Sequence, residues 1–316
     1  MNHLNEFIWT ERYRPRTVQD TILPQAQKKI FQQFVDQKNI PNLLLVGGPG
    51  TGKTTVAKAM LDELGCEYVV INGSLSGNID TLRNDIRNFA STVSMLNTGR
   101  KYVILDEADG LNPQSFQPAL RNFMEEYSKN CGFILTCNYR ARILKELQSR
   151  CSVVEFKITG KERGVIATQV LKRLMTILTL EKIPYDKNAL TAVVAKYFPD
   201  TRRILNELQS YSASGNIDTG ILSNFTEDSV QKLFDLMKTK DFSNIRKWVG
   251  DHADIEPTEL LDTIYTKATE LVEPKSIPIL VLILAKYSYQ SAFVAHQEIN
   301  TAACVAEIMM ECTFKK

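Results

Sequence analysis

Gly47-Gly48-Pro49-Gly50-Thr51-Gly52-Lys53-Thr54 stands directly after the apolar run Asn42 to Val46 and directly before a helical pattern, Val56 to Leu64. The octet satisfies G-x-x-x-x-G-K-S/T in full, and the strand and helix that such a motif needs flank it on both sides. Phosphate chemistry explains the residue types. Glycines let backbone N–H groups close around phosphate oxygens, and the helix N-terminus adds partial positive charge. Lys53 has the reach for β and γ phosphates, and Thr54 offers a hydroxyl to Mg2+. With Gly50, Thr51, Gly52 and Thr55 around them, these residues form the expected cradle of ATP.

Working outward, four more short apolar runs read as buried strands: Glu67 to Ile71, Tyr102 to Leu105, Gly132 to Thr136 and Ser152 to Phe156. They alternate with helical patterns, which predicts an α/β fold with a parallel sheet and crossover helices on both faces. After about residue 157 the strand signals stop. Lys161 to Glu181 carries apolar residues at helical spacing, and the remainder reads as all-helical. Pro184 and Pro199 bound one helical unit, and Ser212 to Gly220 is turn-rich. The expected division is an ATPase domain over 1–157, a helical lid over 158–224 and an all-helical collar over 225–316.

The strand Tyr102 to Leu105 delivers Asp106-Glu107-Ala108-Asp109 at its C-terminal end, the edge that a parallel sheet turns toward the glycine turn. Asp106 is placed to hold magnesium, directly or through water. Glu107, with no metal bond to make, is free to orient and polarise an attacking water. Asp109 reads as a cap for the segment after it. Kinases and small GTPases share these two elements, so they establish nucleotide binding and not a biological role.

Composition narrows the field. Of 316 residues, 44% are hydrophobic and 23% charged, enough for a sizeable core. Lys and Arg total 38 against 36 Asp and Glu, so any grip on nucleic acid must come from a local stripe of charge. Six scattered cysteines without a C-x-x-C pair, and only three histidines, read as reduced thiols with no structural zinc. The most apolar run, Ile277 to Ala285, contains Pro278 and falls well short of the roughly 20 residues that span a bilayer. It reads as a core helix, with no membrane partner. Met1 to Glu11 shows no secretory pattern, which leads to the expectation of a cytoplasmic protein.

Further along, Phe133-Ile134-Leu135-Thr136 runs into Cys137-Asn138, and Leu147-Gln148-Ser149-Arg150-Cys151 precedes the last strand. Together these resemble the sensor-1 and S-R-C motifs of clamp-loader AAA+ ATPases. The resemblance implies that Asn138 bonds the γ-phosphate or the water, and that Arg150 is an arginine finger pointed at the ATP of a neighbouring subunit. Trp9-Thr10-Glu11-Arg12-Tyr13-Arg14-Pro15 is similar to the family's "W-x-E-K-Y-R-P" opening, which packs over adenine. It implies base contacts from Thr10, Glu11, Arg12, Tyr13 and Ile22. Phe198-Pro199-Asp200-Thr201-Arg202-Arg203-Ile204-Leu205-Asn206 resembles the sensor-2 pattern "G-D-M-R-x-x-L-N", with Pro199 where glycine is usual. Arg202 matches the phosphate-contacting position, and Arg203 reads as solvated.

The most discriminating stretch is Gln114 to Ser128, which resembles the clamp-loader helix "A-Q-x-A-L-R-R-T-M-E-x-Y-S". By that resemblance Arg121 links DNA or a neighbour to the catalytic acid; the same stretch is also an amphipathic core helix. Arg83 and Arg87 lie four apart on one predicted helix face with Asn84 and Asn88. By resemblance such a helix tracks phosphates of primer-template DNA without reading sequence, and it reads equally as a solvated charged face. The resemblance covers about residues 9 to 210. Its branch is most like the large subunits of T-even-like bacteriophage clamp loaders, with replication factor C small subunits close by. It implies a pentameric loader built from copies of this chain and a companion subunit, acting on a sliding clamp. Two other readings stay open at this point: another AAA+ machine, such as a branch-migration motor or replication initiator, and a subunit that binds partners without hydrolysing ATP.

Overall fold

A computed structural model describes residues 7–74, 79–92, 100–213, 215–221, 227–252 and 257–315. The chain forms two compact units, Met1–Leu222 and Ser223–Lys316. The first opens with α1 (Trp9–Arg12) and α2 (Gln25–Asp36) and continues through β1 (Leu43–Val46), α3 (Lys53–Leu64), β2 (Tyr68–Asn72), α4 (Ile79–Ser91) and β3 (Lys101–Asp106). There follow α5 (Phe116–Glu126), β4 (Cys131–Cys137), α6 (Lys145–Gln148) and β5 (Ser152–Glu155), then three helices, α7 (Gly160–Leu180), α8 (Lys187–Tyr197) and α9 (Thr201–Ser212).

The five strands form one sheet in the order β2-β3-β4-β1-β5, every pair parallel. Alternation along the strands assigns the faces. Leu44, Val103, Leu105, Phe133 and Leu135 join Ile86 of α4 and Phe116, Leu120 and Met124 of α5 in one core. Leu43, Leu45, Tyr102, Ile104 and Ile134 join Phe31 of α2 and Val56, Met60 and Leu61 of α3 in the other. Helices thus cover both faces, as the uniformly apolar strands require. Two expectations need correction. Neither β2 nor β5 is a buried strand: Val70 of β2 is 39% exposed, and β5 has Ser152 exposed with Val153 to Glu155 half-buried, because the two strands form the edges of the sheet.

Helices α7 to α9 enclose a third core, to which Trp9 of the N-terminal segment belongs. Thr159 and Glu162 form a capping box that starts α7, while Asp186 and Asp200 cap α8 and α9.

The second unit consists of α10 (Glu227–Thr239), α11 (Phe242–Asp251), α12 (Pro257–Thr266), α13 (Ala268–Leu271), α14 (Ile277–Ser291) and α15 (Gln297–Glu311) around its own core. The apolar run from Ile277 is the first part of α14. It buries Leu280, Ile283, Leu284 and Tyr287 but exposes Leu282, Tyr289 lies exposed a further two turns on, and Phe293 lies exposed just beyond the helix. Only one face of it is therefore core. Among the described residues no helix is long and apolar enough to cross a membrane.

Candidate nucleotide site

β3, β4 and β1 are adjacent, so their C-terminal ends bring three chain segments to one edge. Val46 pairs with Cys137, and Leu105 with Leu135. The glycine turn, the acidic pair and Asn138 therefore meet, although almost one hundred residues of chain separate the first from the last.

Gly50 and Gly52 hold left-handed backbone at φ +65° and +93°, conformations that cost a side-chain-bearing residue about 1–2 kcal/mol each. The curl turns Lys53 inward: it is 8% exposed. Its Nζ donates to Gly47 O at 2.8 Å, to Gly48 O at 2.7 Å and to Asn138 Oδ1 at 2.9 Å. Burial pushes the ammonium below the ordinary lysine range, Asp106 opposes that shift, and the charge of Arg202 adds to it. A buried cation with only neutral hydrogen-bond acceptors strongly favours an incoming anion.

Thr54 Oγ1 and Thr136 Oγ1 both donate to Asp106 Oδ1, each at 2.6 Å. Thr136 Oγ1 also accepts the Glu107 N–H at 3.1 Å. Glu107 itself sits at φ +54°, and a Cβ on the neighbouring Gly73 would lie 2.7 Å from its carbonyl oxygen. The acidic pair is thereby distinguished: Asp106 accepts from the two hydroxyls, and Glu107 is held in strained backbone. Asp109 Oδ2 accepts the N–H groups of Asn138 at 3.2 Å and Tyr139 at 3.1 Å. Its bonds are thus to the end of β4, 29 and 30 positions on, and not to the segment directly after it as expected, and they hold the backbone at Asn138. Thr136 was not singled out from sequence; a lone hydroxyl at the end of an apolar strand was the signal.

The phosphate end opens into a cleft lined by Thr10, Tyr13, Ile22 and the run Gly50 to Thr55 on one side. Apolar residues of α7 (Ile166, Val170, Leu174) and the α9 pair Arg202 and Leu205 line the other. Apolar walls with a few polar edges suit a purine. The side chains of Glu11 and Arg12, expected at the base, are not among the lining groups. Glu11 pairs with Arg14, and Arg12 Nη1 reaches Glu181 Oε1 at 2.7 Å. Tyr13 Oη donates to the same Glu181 oxygen at 2.5 Å, and Gln209 Oε1 accepts the Trp9 N–H at 2.9 Å. The N-terminal segment is thus anchored to the helices of the lid, and its Glu181 clamp lay outside any local pattern.

The lid touches the glycine turn directly. Thr201 Oγ1 donates to Gly50 O at 2.9 Å. A Cβ on Gly50 would lie 1.7 Å from Asp200 Oδ1 and 2.9 Å from Asp200 Cα. Gly50→Ala is therefore expected to destabilise the first unit by more than about 2 kcal/mol, from left-handed strain plus displacement of the lid. Gly48→Ala, whose Cβ meets nothing within 4 Å, serves as the neutral comparison in denaturant melts. Equal midpoints for the two variants would show that α9 does not dock on the turn in solution. Arg203, read as solvated, lies over the Tyr197 ring at 4.7 Å.

Arg150 does not line this cleft. Its guanidinium pairs with Glu125 of α5. Arg121, also on α5, is half-buried and points at Asn122, and Arg87 of α4 is exposed. The Arg83 side chain lies outside the described residues.

A P-loop, a hydroxyl hydrogen-bonded to a strand-end acid, a strand-end asparagine and three helices, the last touching the glycine turn, beside one parallel sheet define an AAA-type ATPase. Residues 43–158 match the family model of ATPases associated with various cellular activities (AAA). Residues 162–223 match the AAA+ ATPase lid domain of sliding-clamp-loader large subunits. The chain is 35% identical to the sliding-clamp-loader large subunit of Enterobacteria phage T4 and 33% identical to that of Escherichia phage RB69, with 98% of each chain covered in both comparisons. It is 39% identical to the replication factor C small subunit of Archaeoglobus fulgidus, over 66% of this chain and 65% of that one. The chain belongs to the family of sliding-clamp-loader large subunits. A Thermotoga maritima RuvB Holliday junction branch migration motor shares the fold, with TM-score 0.53 at 17% identity over 71% of this chain and 78% of the other.

Proposed function

We propose that this ATPase works in DNA replication as one of several copies in a pentameric loader, beside a companion subunit, and opens a sliding clamp onto primer-template DNA. Three parts carry the work on this reading: residues 1–157 bind and hydrolyse ATP, 158–224 close as a lid, and 225–316 form the collar. The observation that supports it is the meeting of the glycine turn, Asp106, Glu107 and Asn138 at one edge of the sheet beside this cleft, while Arg150 lies outside the cleft lining on the same unit.

In that cleft Lys53 exchanges its carbonyl partners for the β and γ phosphates of ATP, and Asn138, released by Lys53 and held by Asp109, bonds the γ-phosphate or the water. Glu107 orients the water. Arg202 contacts the phosphates from the lid, so ATP draws α9 toward the turn. Thr54 and Asp106 fit Mg2+: a hydroxyl and a carboxylate oxygen 2.6 Å apart are hard donors of the kind that ion takes. Held by Thr54 and Asp106, the ion would supply Lewis-acid neutralisation of phosphate charge. Thr10, Tyr13 and Ile22 cradle the base, with Glu11 and Arg12 bracing the segment behind them.

Arg150 supplies a further cation to the site of the next copy. Arg87, Arg83 and Arg121 hold DNA phosphates. The exposed apolar residues Leu282, Tyr289, Ile299 and Met310 of α14 and α15, with Phe293 beside them, support assembly of the collar, since patches of this kind mark interfaces. A DNA substrate places the protein inside the cell, in the host cytoplasm for a phage protein. ATP turnover of the chain alone and in the complete loader, with and without clamp and primed DNA, tests the proposal. Stimulation by both is expected; an isolated chain turning over at the full rate, indifferent to all of them, overturns it.

A further inference from the structure

Glu125 lies in the last turn of α5, and Arg150 lies two residues beyond the end of α6. The Arg150 Nε donates to Glu125 Oε1 at 2.9 Å, and Nη2 donates to that same oxygen. Nη1 donates to the main-chain oxygen of Glu146 at 2.8 Å. A guanidinium carries five N–H groups in a rigid plane. Three are taken by the chain's own atoms, which leaves one on each terminal nitrogen. The side chains are 33% and 59% exposed for Arg150 and Glu125, so a second molecule has access to the pair.

The Arg150 hydrogen bonds and charge hold the Glu125 carboxyl below its ordinary range, with Arg121 one turn earlier adding to the effect. The support is therefore ionised at neutral pH. A surface ion pair is by itself worth little stability. Its consequence lies in orientation: three bonds from two separate elements fix the plane of a side chain that would otherwise sample many rotamers.

We propose that Glu125 is a positioning residue for hydrolysis in the neighbouring subunit, holding Arg150 with its two remaining N–H groups available to that neighbour's phosphates. The proposal rests on the reading of Arg150 as a finger acting in trans. It adds that the finger is pre-set by its own subunit before the neighbour arrives, and that α5 is the element which sets it.

The test uses the complete loader with clamp, primed DNA and ATP. Glu125→Ala is expected to lower kcat about tenfold with KM for ATP unchanged. Glu125→Gln, which keeps an acceptor at the same reach, is expected to restore part of the loss. Adding Glu125→Ala to Arg150→Ala is expected to slow turnover no further, because Glu125 acts only through Arg150. Native mass measurement checks that each variant assembles, and Glu125→Gln carries the test if the alanine variant does not. Wild-type kcat in the Glu125 variants, or a double variant well below Arg150→Ala alone, overturns the proposal. Turnover that survives Arg150→Ala removes the finger reading itself, whatever Glu125 does.

Discussion

Glu107→Gln is expected to lower ATP turnover by about 10²- to 10⁴-fold, the usual contribution of a positioned proton acceptor, while nucleotide binding stays intact. The two halves of that expectation come from different contacts. Glutamine has the same length and keeps the left-handed backbone and the N–H bond to Thr136, so the turn after β3 survives. On the proposed reading binding rests on Lys53, Thr54 and Asp106, and neither the Lys53 bonds to Gly47, Gly48 and Asn138 nor the Thr54–Asp106 bond includes the Glu107 side chain. What is lost is the charge that polarises a water, an interaction made in the transition state and not in the ground state. Single-turnover kinetics with an equilibrium titration of a nonhydrolysable analogue separates the two. Binding that fell in step with turnover would place Glu107 in the ground-state cradle and leave the water without its assigned acid.

How far this site was readable in one dimension varies with the kind of contact. The glycine turn was legible because its requirements are local: left-handed φ at Gly50 and Gly52 and a helix starting at Lys53. Both faces of the sheet followed from uniformly apolar strands, but strand order does not follow from a run of residues, and with it went the exposure of Val70 at the edge. Glu11 and Arg12 show the next limit. Their motif pointed to the base, while the partner that holds the Arg12 side chain is Glu181, 169 positions on and invisible to any local pattern. Thr136 and Asp109 act on residues of another strand or turn, so neither carries a periodic signal. The contact between Asp200 and Gly50 is of the same kind. It is a tertiary constraint on a glycine whose local role alone already accounted for it.

Arg150→Ala is expected to cost the assembled loader about 10³- to 10⁵-fold in turnover, the range for an arginine that neutralises charge in phosphoryl transfer, and to leave ATP binding by the single chain nearly unchanged. The second part follows from where the residue lies. It lines no part of the cleft in its own chain, and its partners there are Glu125 and the Glu146 carbonyl. The first rests on the proposed action in trans, in which Lys53 and Arg202 are assigned to the phosphates of their own chain and Arg150 brings a further cation to the group being transferred in the neighbour. Mixed assemblies sharpen the measurement: copies with Arg150→Ala placed beside wild-type copies should silence the neighbour's site and not their own. If each variant copy lost its own site instead, Arg150 would act within the chain, its ion pair with Glu125 would have to break for it to do so, and the site would no longer need two subunits.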